Sequence, residues 1–114
     1  NKGNIERWRE KFNEAVFSKM KKGAYLINVA RGGCVVEKDL IVAIESQQIG
    51  AAGIDVTDPE PLPASSPLWD MENVILTPHT GGETRLYEDN VLDILVENIK
   101  RLENGEEILM NQIV

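Results

Sequence analysis

Three residues of this sequence have the types needed to move a proton on a small acid: Arg31, Glu60 and His79. Each stands just after a short apolar run. Arg31 lies in Asn28-Val29-Ala30-Arg31-Gly32-Gly33, Glu60 in Asp55-Val56-Thr57-Asp58-Pro59-Glu60-Pro61-Leu62, and His79 in Thr77-Pro78-His79-Thr80-Gly81-Gly82. An arginine offers a planar fork that matches a carboxylate with two parallel hydrogen bonds. A histidine gives or takes a proton near neutral pH. A carboxylate beside a histidine favours the imidazolium, so an acid survives at working pH. A positioned acid of this kind is worth roughly 10²–10⁴ in rate. Together the three describe a site that anchors a carboxylate and moves a proton on the neighbouring oxygen.

They can converge only if the three runs are parallel strands, because open parallel sheets bind ligands outside the carboxyl ends of their strands. The pattern predicts strands at Ala24–Val29, Ala51–Val56 and Val74–Thr77, all short, apolar and β-prone. It predicts helices at 5–22, Glu37–Gln48 and Glu83–Glu103, where apolar residues recur at three- and four-residue steps. Asn13 is a good N-cap, which leaves open a separate, shorter helix from that point. Gly23 reads as the left-handed stop of the first helical segment, and Asn104-Gly105 as the end of the last helix. Gly32 and Gly33 read as turn positions with positive φ.

The loop Thr57–Asn73 holds Pro59, Pro61, Pro63 and Pro67 and predicts no regular element, with Trp69 packing it onto the core. Pro78–Gly82 reads as a tight turn. Alternating strands and amphipathic helices imply an α/β fold with a parallel sheet. Three strands are few for one, since such a sheet needs neighbours on both edges and cover on both faces. The expectation is therefore half of a larger doubly wound domain.

Composition narrows the partners. The chain has 114 residues, 42% hydrophobic and 27% charged, with a net charge of −7. That suits one compact domain. The acidic balance argues against nucleic acid and against an anionic membrane surface. Cys34 is the single cysteine, so no intrachain disulfide forms, and one Cys with one His builds no ordinary metal site. No apolar run approaches the roughly 20 residues of a membrane span. A reducing, cytoplasmic setting is the default expectation. Cys34 itself reads as a small buried apolar residue.

The segments NVARGG, GIDVTDPEPLP and TPHTGGET stand in the order and spacing of the D-isomer-specific 2-hydroxyacid dehydrogenases, and the sequence resembles that family over about residues 13–104. The resemblance implies the second half of a Rossmann-type sheet at 13–104, preceded by an atypical helical junction at 1–12 and followed by a tail at 105–114. It implies hydride transfer between NAD, with NADP left open, and a small D-2-hydroxyacid or 2-oxoacid. By resemblance Arg31 holds the substrate's carboxylate and carbonyl, His79 is the acid/base, and Glu60 orients and charges it. Asp55 accepts a hydrogen bond from the nicotinamide carboxamide, and Ala30, Gly81 and Gly82 lie beside the ring and ribose.

The family's Gly-rich phosphate loop, G-x-G-x-x-G, does not occur among these residues. The 114-residue chain alone is accordingly expected to be inactive. Val36 stands where the family has an Asp or Asn helix cap, and Cys34 and Thr57 replace apolar residues without touching a proposed role. The resemblance leaves two alternatives open, an NAD-binding corepressor-like module and an inert truncated product. It also leaves open a homodimer through the cofactor domain.

Overall fold

The computed structural model describes residues 6–112. The chain divides into two compact units, the first ending at Gly81 and the second beginning at Gly82. The first unit holds a three-stranded parallel sheet in the order β1 (Ala24–Asn28), β2 (Ile49–Ile54), β3 (Val74–Leu76). Helix α1 (Glu14–Phe17) precedes β1, and α2 (Glu37–Glu45) connects β1 to β2. The expected α/β class and parallel sheet are observed.

Side chains alternate across a strand, and here the two faces differ sharply. Leu26, Ala52 and Ile54 point into a core shared with Phe17, Leu40, Ile44, Ile49 and Leu68, all buried. Each such large side chain contributes about 1.5–3 kcal/mol on burial. On the other face Tyr25, Ile27 and Ile75 are 76%, 74% and 70% exposed. Ile27, Gly53 and Ile75 lie in register across the three strands, so the bare surface is continuous. One layer covers the sheet and the other face is open, which matches the expectation of an incomplete doubly wound sheet.

Several boundaries differ from the sequence expectation. The helix expected over 5–22 is broken. Residues 6–8 are helical, Glu10 turns with φ 53°, and Phe12 forms a parallel bridge with Val35. Helix α1 then starts at Glu14, with Asn13 as its cap accepting from the Val16 N–H, as the alternative reading allowed. Residue 5 lies outside the described residues. Helix α2 ends at Glu45 because Gln47 takes φ 58°, which frees Ile49 and Gly50 for β2. Ile49 is fully buried at the start of that strand. Gly23 has φ 76°, as a left-handed stop requires, whereas neither Gly32 nor Gly33 has positive φ.

The long loop after β2 contains one turn of 3₁₀ helix at Pro67–Trp69, capped by Ser66. Leu68, not Trp69, fills the core there. Trp69 is 54% exposed, and its indole N–H donates to the Pro63 carbonyl at 3.0 Å. Cys34 is half-buried rather than buried.

Val36 is the N-cap of α2 and gives it no side-chain hydrogen bond, as expected. Val36→Asn should therefore stabilise the unit by about 1 kcal/mol, read as a raised urea midpoint with unchanged slope; an unchanged midpoint would contradict it.

The second unit contains α3 (Tyr87–Glu103), four residues shorter at its start than expected. The Tyr87 N–H closes a turn onto the Thr84 carbonyl, and Leu86 supplies no cap. Acidic residues Glu88 and Asp89 in the first turn and basic residues Lys100 and Arg101 in the last suit the helix dipole. The helix closes at Asn104, and Gly105 takes φ 73°. No helix among the described residues is long and apolar enough to cross a membrane.

Candidate functional site

Each strand of the first unit is followed by a turn carrying one of the three reactive side chains. Asn28 ends β1 as a buried polar residue, 8% exposed, and its side chain clamps the next turn. Its amide N–H donates to the Arg31 carbonyl at 3.0 Å, and its carbonyl oxygen accepts the Ala30 N–H at 3.1 Å. Gly32 then presses against the backbone after β2: a Cβ there would lie 2.0 Å from the Thr57 carbonyl carbon. Close backbone approach, and not positive φ, is why position 32 is glycine.

Beyond β2, the Thr57 N–H donates to Glu60 Oε1 at 2.9 Å, and the Thr57 hydroxyl donates to the Pro59 carbonyl at 2.9 Å. Thr57 therefore shapes the Glu60 loop, contrary to the expectation that it touches no proposed role. The other carboxylate oxygen of Glu60 accepts from His79 Nδ1 at 3.0 Å. That contact leaves Nε2 as the nitrogen available to exchange a proton.

The His79 turn has unfavourable backbone geometry. His79 takes φ 57°, the left-handed region, which costs roughly 1–2 kcal/mol for a residue with a Cβ. Asp55 holds the turn in that shape. Its Oδ1 accepts the Thr77 hydroxyl at 2.5 Å and the Thr80 N–H at 2.8 Å, and its Oδ2 accepts the Gly81 N–H at 2.8 Å. These three donors bracket His79. Oδ2 keeps room for one further donor. A Cβ on Gly81 would approach that oxygen to 2.9 Å.

Arg31, Glu60 and His79 line one cleft of about 210 Å³ with Gly32 and Thr57. The Arg31 guanidinium donates to the Ala30 carbonyl at 2.6 Å. The Glu60–His79 pair also borders a more apolar cavity of about 570 Å³, lined by Leu62, Trp69 and Leu76. The smaller cleft is the one where guanidinium, carboxylate and imidazole meet. Asp55 lines the larger cavity and not the smaller cleft, Ala30 sits in the turn that Asn28 clamps, and Gly81 donates to Asp55. Gly82 belongs to the second unit and has open space where a Cβ would stand. Among the described residues no group of His, Cys, Asp or Glu could hold a metal ion.

Charge follows from these contacts. The hydrogen bond from His79, then that from the Thr57 N–H, holds the Glu60 carboxyl below its ordinary 4.5. The Thr77 hydroxyl, then the Gly81 and Thr80 N–H groups, outweigh burial and hold Asp55 below its ordinary 3.8. Both groups favour the folded state when ionised. Their contribution is complete above the unfolded values and is lost as pH falls through the folded ones. The share of stability due to these two groups should thus be level well above pH 4.5 and decline as pH falls below about 4.5 for Glu60 and 3.8 for Asp55. Asp55→Asn should flatten that fall in urea titrations between about pH 3 and 6; an unaltered slope would refute the clamp.

Sequence reasoning missed Asn28, Thr77 and the backbone of Thr57. The available signal was a polar residue of hydrogen-bonding type at the end of an apolar run, where a chain must turn.

The family described as D-isomer specific 2-hydroxyacid dehydrogenase, NAD binding domain, matches residues 5–81. The chain is 44% identical over 94 residues to a glyoxylate/hydroxypyruvate reductase A of Photorhabdus laumondii, covering 82% of this chain and 29% of that one. A D-isomer specific 2-hydroxyacid dehydrogenase of Xanthobacter autotrophicus Py2, solved with NADPH and MES, matches at 41% identity and TM-score 0.81, over 95% of this chain and 43% of that one. An NADPH-dependent glyoxylate/hydroxypyruvate reductase of Sinorhizobium meliloti, solved with NADP and sulfate, matches at 34% identity and TM-score 0.78, over 92% and 35%. The chain spans about a third of the length of the curated relatives it matches.

Proposed function

The chain belongs to the D-isomer specific 2-hydroxyacid dehydrogenase family, and on that premise we propose that it carries the catalytic residues of an enzyme interconverting a small D-2-hydroxyacid and its 2-oxoacid with NAD(H) or NADP(H). The observation that carries this reading is the 3.0 Å Glu60–His79 contact opening onto the cleft that Arg31 also lines.

In the reducing direction Arg31 grips the carboxylate of the 2-oxoacid and orients the adjacent carbonyl. The nicotinamide, when bound, supplies a hydride to the carbonyl carbon. His79 gives its Nε2 proton to the carbonyl oxygen, and Glu60 stabilises the imidazolium before that transfer. The hydroxyacid leaves with both hydrogens, and His79 regains a proton from water. Asp55 can offer its remaining Oδ2 lone pair to the carboxamide, with Ala30 and Gly81 leaving room for the ring and ribose. Its unfilled acceptor site fits that group, while none of the described residues forms a Gly-rich phosphate loop.

His79 and Glu60 side chains are 46% and 41% exposed, so water screens the pair as it stands. Excluding water strengthens every charge in such a site. Among the described residues the bare sheet face and the unpaired outer edge of β1 support a complete enzyme in which further chain supplies that cover and the phosphate grip. Glyoxylate and hydroxypyruvate, the substrates in the name of the Photorhabdus relative, are the substrates to test first.

The test follows reduced cofactor at 340 nm as glyoxylate, hydroxypyruvate or pyruvate is added to the complete enzyme. Turnover supports the reading; cofactor binding with none of these acids turned over would sink it in favour of a binding module. The 114-residue chain alone should bind NAD weakly or not at all, and micromolar binding by calorimetry would contradict that.

A further inference from the structure

We propose that Asn28 is a positioning residue for Arg31, acting through both ends of its carboxamide; this rests on the reading of Arg31 as the carboxylate anchor. Asn28 is the last residue of β1, points to the covered face and is 8% exposed. It faces two backbone groups of opposite kind, the Ala30 N–H and the Arg31 carbonyl. A carboxamide is the side chain of this length that offers one acceptor and a donor together. Both bonds are part-buried; without them the Ala30 N–H loses this partner, and the Arg31 carbonyl is left with the Cys34 N–H alone.

The turn so fixed is also what carries the guanidinium. Asn28 pins Ala30 through its N–H, and the carbonyl of Ala30 accepts from Arg31 Nη1 at 2.6 Å. Asn28 pins Arg31 itself through its carbonyl, where the Cys34 N–H also arrives at 3.2 Å. Arg31 is thereby set in an extended backbone (φ −150°, ψ 143°) beside the Gly32–Thr57 contact. A long, flexible side chain reaches a carboxylate with the right fork geometry only from a fixed base, and Asn28 supplies that base.

Two variants separate the halves of the clamp. Asn28→Asp keeps the acceptor for Ala30 but turns a carboxylate oxygen on the Arg31 carbonyl. Asn28→Ala loses both contacts and adds no charge. Oxalate, a small dicarboxylate that mimics a 2-oxoacid, reports the anchor without turnover. In the complete enzyme, Asn28→Asp should raise the oxalate dissociation constant and the KM for glyoxylate about tenfold, leaving the KM for reduced cofactor within about twofold. In an Arg31→Lys background the same change should shrink below about threefold, because the two residues act as one unit.

If Asn28→Asp does not fold, Asn28→Ala taken through the same cycle decides the matter. Equal effects in both backgrounds would overturn the positioning role. So would a fall in kcat and melting temperature at unchanged oxalate affinity, the signature of general structural support. Turnover by wild type with an additive cycle would sink this role alone. Wild type that neither binds oxalate nor turns over any 2-oxoacid would sink the dehydrogenase reading, and this role with it.

Discussion

Replacing His79 by Asn in the complete enzyme should lower kcat by about 10²–10⁴-fold while leaving cofactor affinity within about twofold. Asn is the informative choice because His79 takes φ 57°, and Asn tolerates the left-handed region better than most residues. The Asp55 clamp works through the Thr77 hydroxyl and through the Thr80 and Gly81 N–H groups, so it should survive the change. What is lost is the nitrogen that carries the proton, with the Glu60 contact at 3.0 Å losing its partner. Stopped-flow single turnovers with saturating reduced cofactor would measure the chemical step directly. A variant as fast as wild type would remove His79 from the mechanism.

The second large effect should come from a residue with no side chain. A Cβ at position 32 would stand 2.0 Å from the Thr57 carbonyl carbon, 2.1 Å from its oxygen and 2.5 Å from the Asp58 nitrogen. All three are backbone atoms, so no rotamer can yield. Gly32→Ala must part the turn after β1 from the loop after β2. We expect a loss of about 3 kcal/mol or more, and a fall in turnover in whatever fraction folds, since Arg31 rides on one segment and Glu60 on the other. Gly33→Ala is the control. Its Cβ would meet the end of the Asp58 side chain at 3.0 Å, which can swing away, so the cost should stay below about 1 kcal/mol. Equal urea midpoints for the two variants would refute the packing argument.

The strands were legible because their signal is local. Ala24–Asn28 and Val74–Leu76 are apolar runs bounded by breakers, and both fall within a residue of expectation. The start of β2 was not legible. Ile49 and Gly50 fell between the helix expected to Gln48 and the strand expected from Ala51, because the chain's reversal depends on Gln47 taking φ 58°, which no residue type there announces. The first helix failed for a tertiary reason: Phe12 leaves the helical pattern to bridge Val35, a contact across the fold. Trp69 carries more apolar surface than Leu68, yet Leu68 is buried, because the cap at Ser66 sets which side of a single 3₁₀ turn faces inward. At the site, the reactive types and their strand-end positions could be read directly. Their supports could not, because Asn28, Thr57 and Thr77 act on partners that only the folded chain brings near.

The order of strands across the sheet is the order of strands along the chain, β1, β2, β3. Each strand can therefore dock on one already made nearby in sequence, without waiting for a distant partner. Each pairing must still close a crossover of about 20–25 residues, Ala24 onto Ile49 and Ala52 onto Val74, which makes it slower to form than a hairpin.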